Sequence, residues 1–127
     1  MQFAPLPYLN VMTISELTNQ INAFRDARDW KQFHTPKDLA VSISIEAGEL
    51  LELFQWRNGD EVEADLQDPG KLRRLREEVA DIVVYCLNMS DAIGFDLAEA
   101  IVEKLQQNAA KYPADKARGN AKKYTDL

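Results

Sequence analysis

Ile14, Leu17, Ile21 and Phe24 recur at spacings of three and four, and Thr13 followed by Glu16 forms a capping box just ahead of them. The pattern predicts a first helix from about Ile14 to Trp30. "HTPKD" marks a second start, with Thr35 as N-cap, Pro36 at the first helical position and Asp38 near the positive end of the dipole. Leu39, Ile43, Leu50 and Phe54 then share one face, which predicts a second helix reaching Trp56 or Arg57. Residues 57–68, "RNGDEVEADLQD", are polar and acidic with a glycine near the start; they read as a loop, with room for one helical turn and with solvated charges. "DPGK" caps a third helix, from about Pro69 until Gly94 stops it. Asp96 with Glu99 opens a fourth, which Pro113 closes after Tyr112.

No alternating strand pattern competes with these segments, so the expected class is all-α: a four-helix protomer in a single domain over residues 1–127. Residues 1–12 read as an N-terminal extension and residues 114–127, which lack periodicity, as a basic C-terminal arm. Within the third helix "VADIVVYCLNM" is apolar on nearly all sides and asks for more neighbours than one small bundle supplies. That predicts a helical homo-oligomer, dimer or tetramer.

A formal charge of −6 argues against a nucleic-acid polymer as partner, because such a surface needs clustered Lys and Arg. A polyanionic ligand would then be held through metal ions or a local basic patch. The single Cys86 lies in the apolar run and reads as a core residue. The N-terminal "MQFAPLPYLNVM" lacks a basic leader region, and no apolar stretch approaches the ~20 residues of a membrane span. The expected setting is cytoplasmic, with no membrane partner.

Against this background the acids on the second and third helices need a reason. Glu46 and Glu49 project about 60° apart beside the apolar face, and Glu78 and Asp81 repeat the i, i+3 geometry on the third helix. Carboxylates at the border of a core are costly unless paired or bound to metal. Their oxygens are hard ligands suited to Mg²⁺ or Mn²⁺, and no His or Cys spacing suggests Zn²⁺. Four such acids from two helices could hold two ions. Trp56 lies seven residues after Glu49 and Tyr85 seven after Glu78, so each helix is expected to carry an aromatic on the stripe of its acid, where a planar group could stack.

The order ExxE, 28 residues, ExxD, met as "EAGE" and "EVAD", resembles the signature of the all-α nucleoside triphosphate pyrophosphatases, the MazG-like superfamily. The resemblance is closest to its dCTP pyrophosphatase branch. It extends through "RDWKQFHTPKDL", "EAGELLELFQW", "REEVADIVVY", "NAAKYP" and "RGNAKKYTD", nearly the whole chain. It implies Mg²⁺-dependent hydrolysis of a nucleoside triphosphate between the α and β phosphates, with Glu46, Glu49, Glu78 and Asp81 as metal ligands. It also implies a base pocket at Trp30, His34, Trp56, Tyr85 and Asn108, with C-terminal cations near the phosphates; Lys104, Lys111, Arg118 and Lys122 are the candidates, and Tyr124 suggests that the arm docks.

For the base that activates water, Glu49 is the first choice, with Glu46 beside it and Glu52, one turn on, as the alternative. Two rival readings stay open at this point. One is the same chemistry with broad, dATP or modified-base preference. The other is a non-catalytic nucleotide-binding helical assembly, which pyrophosphate release under Mg²⁺ would exclude.

Overall fold

The computed structural model describes residues 12–127, in which six α-helices and two 3₁₀ turns occur and no strand is found. Residues 1–11, most of the expected N-terminal extension, lie outside the described part. By internal packing the chain forms two compact units, one up to Gly94 and one from Phe95 on. Among the described residues no helix is long and apolar enough to cross a membrane.

The first unit contains α1 (Ile14–Asp26), α2 (Pro36–Glu52), α3 (Gly59–Gln67) and α4 (Pro69–Ile93). The 25-residue α4 is its centre: it packs most extensively along α2 and also touches α1 and α3. The expected starts are in place. Thr13 and Glu16 form both halves of the capping box, Thr35 Oγ1 accepts from Asp38 N–H, and Asp68 Oδ1 accepts from the N–H groups of Gly70 and Lys71. Gly94 ends α4 in the left-handed region, φ 91°, and donates its N–H to the Ser90 carbonyl, a conformation glycine adopts without strain.

Three expectations differ. Helix α1 stops at Asp26 rather than Trp30, because Asp29 turns left-handed (φ 54°) and the Trp30 N–H bonds back to the Arg25 carbonyl. This six-to-one closure normally uses glycine, so the sequence gives little warning of it. Helix α2 stops at Glu52, and the following turn ends on Trp56, again left-handed at φ 64°. Trp56 therefore does not continue the helical stripe of Glu49.

The third difference is residues 57–68, which build a helix instead of a loop. Asn58 Oδ1 caps it by accepting from Glu61 N–H, and Asp60 and Glu61 sit favourably in its first turn. Two of its acids, Glu61 and Asp65, are paired rather than merely solvated. Arg57 reaches Asp65 with Nε at 2.9 Å and Nη2 at 2.7 Å and also pairs with Glu61, while Lys71 Nζ meets Asp65 at 2.7 Å. The network ties the end of α2, α3 and the start of α4 together.

Only Leu39 and Leu87 are fully buried apolar side chains among the described residues. Ile45 and Leu51 on α2 and Val79 and Val83 on α4 are exposed, so the apolar run of α4 is not covered all round within the chain. Cys86 is half-buried.

The second unit contains α5 (Leu97–Lys111), α6 (Ala114–Ala117) and the turn Tyr124–Asp126. Asp96 caps α5 by accepting from Glu99 N–H. The arm folds back on this helix: the Tyr124 ring packs edge-on against Tyr112 at 6.0 Å, and Lys111 Nζ lies 5.2 Å from the Tyr124 ring centre.

Candidate functional site

Where α2 runs along α4, Glu46, Glu49 and Glu78 each bring one carboxylate oxygen into a group whose members lie within 4.8 Å of one another. No Lys or Arg forms an ion pair with any of them among the described residues. Oε2 of Glu46 and Oε2 of Glu78 are buried without a hydrogen-bond partner. Burial, then the neighbouring carboxyl and negative charge of Glu49 with the charge of Asp81, push Glu46 up to about 7. Glu78 is raised as well, first by burial and then by the charge of Glu49. Such a set of converging oxygens with two orphaned acceptors fits a hard divalent cation. Asp81, one turn along α4, acts on both groups through its charge but its oxygens stand outside the close trio.

Asp81 connects the acids to a cavity of ≈ 170 Å³. Helix α1 contributes Ile21, Phe24 and Arg25 to its walls, the following turn Trp30 and His34, and α4 Asp81, Val84, Tyr85 and Asn88. Arg25 is the anchor of this wall. Its guanidinium is buried, pairs with Asp26 at 2.8 Å and Asp91 at 2.7 Å, and Asn22 Nδ2 adds a 3.1 Å bond to Asp91. Because its carbonyl also receives the Trp30 N–H, one residue fixes α1 on α4 and the direction of the turn. Trp30 then packs edge-on against Phe24, ring centres 5.8 Å apart.

His34 lies in this wall with Nδ1 buried and unpartnered. Burial, helped by the positive charge of Arg25, holds its pKa below the ordinary histidine value, so it is neutral at physiological pH. A neutral imidazole beside two aromatic rings suits an uncharged planar ligand better than an anion. A larger cavity of ≈ 260 Å³ lies between the end of α2, α3 and the start of α4, but none of the four acids lines it.

Of the residues expected at the site, the structure brings together Glu46, Glu49 and Glu78, and places Asp81 with Trp30, His34 and Tyr85 around the adjoining cavity. Trp56 is not in that wall; it stands 90% exposed on the turn after α2. Glu52 is the exposed last residue of α2 and outside the trio. Lys104, Asn108 and Lys111 follow one another along α5, and Arg118, Lys122 and Tyr124 belong to the arm, all in the second unit. Sequence reasoning missed Arg25, Asp91 and Asn88. An asparagine amid the apolar run of α4 was the available signal for the last of these.

A model of the MazG-like family matches residues 41–127. The chain belongs to the MazG-like family. Among curated relatives, mouse dCTP pyrophosphatase 1 is 35% identical over 126 residues, 99% of this chain and 71% of the mouse protein. The human protein of the same name is 34% identical over 125 residues, 98% of this chain and 71% of its own length. The crystal structure of a pyrophosphatase from Archaeoglobus fulgidus superposes with a TM-score of 0.72 at 38% identity, covering 89% of this chain and 99% of that one.

Proposed function

We propose that this MazG-like nucleotide pyrophosphatase hydrolyses deoxynucleoside triphosphates of the cytoplasmic pool, dCTP foremost, to the monophosphate and pyrophosphate. Glu46, Glu49, Glu78 and Asp81 would hold Mg²⁺, with Mn²⁺ as a substitute. When bound, the ion supplies charge neutralisation at the phosphate oxygens and a more acidic water. The observation that carries the reading is the trio of carboxylate oxygens within 4.8 Å, two of its acids with a buried, unpartnered oxygen.

The chain's own residues divide the remaining work. Glu49 is the more exposed member of the trio, and accepts the proton of the attacking water. Trp30, Tyr85 and neutral His34 enclose the base, with Trp56 offering a further stacking surface. In the second unit, Asn108 remains the candidate for a base contact, Lys104, Lys111, Arg118 and Lys122 are the candidates for the phosphates, and Tyr124 is the candidate docking point of the arm. Similarity to proteins named dCTP pyrophosphatase supports the choice of base.

A panel of ribo- and deoxynucleoside triphosphates with Mg²⁺, products identified, tests this. Monophosphate and pyrophosphate with dCTP preferred is the expected outcome; diphosphate and phosphate, or no turnover of any triphosphate, contradicts it. The exposed apolar side chains on α2 and α4 support a homo-oligomer. Light scattering should find a dimer or tetramer, and a stable active monomer would contradict that part.

A further inference from the structure

The turn that leads to Trp30 carries a second arginine besides Arg25. If α1 continued, the Arg28 N–H would bond to the Phe24 carbonyl; it turns instead to the Arg25 carbonyl at 3.1 Å. The Arg28 side chain makes good the loss. It doubles back along the helix, and Nη1 donates to the Phe24 carbonyl at 2.8 Å. That bond holds the guanidinium over the Phe24 ring, its central carbon 3.6 Å from the ring centre and 5.9 Å from the centre of the Trp30 ring.

Ion pairing does not account for this arrangement. Arg28 is exposed and forms no ion pair among the described residues, although Asp26 and Asp29 are its near neighbours in the chain. Asp26 is taken by Arg25, and Asp29 by Gln32, whose Nε2 donates to its Oδ2 at 3.0 Å. The guanidinium serves a ring instead, and that ring belongs to the cavity. Phe24 and Trp30 both line it, edge-on to each other, while Arg28 itself is not in the wall. Phe24 is 53% and Trp30 45% exposed, so core packing alone does not lock either ring. Arg28 therefore steadies Phe24, and Phe24 meets Trp30. Rings fixed before a ligand arrives lose less freedom when it binds.

We infer that Arg28 is a positioning residue for the nucleotide base, acting through Phe24 to hold Trp30 in the orientation that keeps the cavity open to a planar ring. The inference rests on the reading of this cavity as the base pocket, but its binding test does not depend on hydrolysis. It gives Phe24 a place in that pocket and gives Arg28 a role at one remove from the ligand.

The test compares the parent with Arg28→Met, which keeps an unbranched stem and removes both the charge and the hydrogen bond, and with Arg28→Lys, which keeps the cation. The affinity for dCMP is measured by titration calorimetry with Mg²⁺, and kcat and KM for dCTP by initial rates. Arg28→Met should weaken dCMP binding by about fivefold and raise KM by a similar factor, with kcat unchanged; Arg28→Lys should recover part of the loss. A purely structural role would lower the melting temperature and leave the affinity alone. The same substitution made in a Phe24→Leu protein should cost nothing further, because the ring through which Arg28 acts is gone. An Arg28→Met variant that binds dCMP like the parent overturns the inference, and so does a loss that persists undiminished beside Phe24→Leu, which would mean direct contact with the nucleotide. A parent that binds no dCMP overturns it together with the base-pocket reading. A parent that binds dCMP but hydrolyses no triphosphate would sink the pyrophosphatase reading alone, because the calorimetry still decides Arg28.

Discussion

Two acid-rich regions of the first unit carry the same kind of side chain to opposite ends. At the α2–α3–α4 corner, Asp65 meets Lys71 and Arg57, and hydrogen bonds from both cations hold its pKa below the usual carboxylate value. Between α2 and α4, the charged neighbours of Glu46 and Glu78 among the described residues are other acids, and both are raised. Acids in the first region are satisfied by the fold; in the second, Glu46 and Glu78 each keep a buried oxygen without a partner. A functional carboxylate is recognised by the partner it lacks, not by its position in an acidic run.

Replacing acids in each region should separate them most sharply by activity. Glu49→Gln or Asp81→Asn keeps side-chain shape and removes an anionic ligand, so turnover should fall by about two to three orders of magnitude. Metal-free stability should hold or rise, since like-charge repulsion is relieved. Asp65→Ala should do the reverse: the melting temperature drops by a few degrees as Arg57 and Lys71 lose their shared partner, and kcat of the folded protein stays within about twofold. Steady-state kinetics and calorimetry on the three variants check both halves. Comparable losses of turnover in both regions would erase the contrast.

The pH dependence of stability should differ in sign between the regions. Glu46 is raised from 4.5 to about 7, so the folded chain binds its proton more tightly than the unfolded chain does. Its contribution is fully present below the unfolded value and is lost as pH rises through about 7. Asp65 is lowered, so its contribution is present above 3.8 and is lost as pH falls through the depressed value. Melting curves in EDTA from about pH 5 to about pH 8 should show the parent losing ground to Glu46→Gln as pH rises. A constant difference would mean that Glu46 does not feel its neighbours.

The smallest effect is expected where the two regions join. Trp56 holds a left-handed backbone with a bulky side chain that is 90% exposed. Trp56→Gly should raise stability by about 1 kcal/mol by relieving that conformation while raising KM for the nucleotide, and denaturant melts with initial-rate kinetics would read both. A large loss of stability would show that the ring packs against something within the fold.

Local chemistry explains which parts of this structure were legible in the sequence. Thr13, Thr35, Asp68 and Asp96 start helices through bonds to residues two or three positions away, and Gly94 stops one by its own conformation. The ends of α1 and α2 were not legible, because Asp29 and Trp56 occupy left-handed positions where glycine is the usual sign. Helix α3 was half legible. Asn58 followed by Glu61 is a capping signal, but the bond from Arg57 to Asp65 spans eight residues and depends on the folded turn. The acids at i, i+3 were visible as pairs; that they face each other across two helices without a cation is tertiary information. The same holds for Arg25 with Asp91, 66 residues apart, and for the unpartnered Oδ1 of Asn88.

The central claim, that the unpaired acids of α2 and α4 serve metal-dependent cleavage at the α–β bond, is tested most directly by phosphorus NMR of dCTP with EDTA-stripped protein before and after Mg²⁺ is restored. The expected result is no turnover without the ion and, once it is present, dCMP and pyrophosphate in equal amounts. Turnover that persists in EDTA, or dCDP and phosphate as the products, would contradict it.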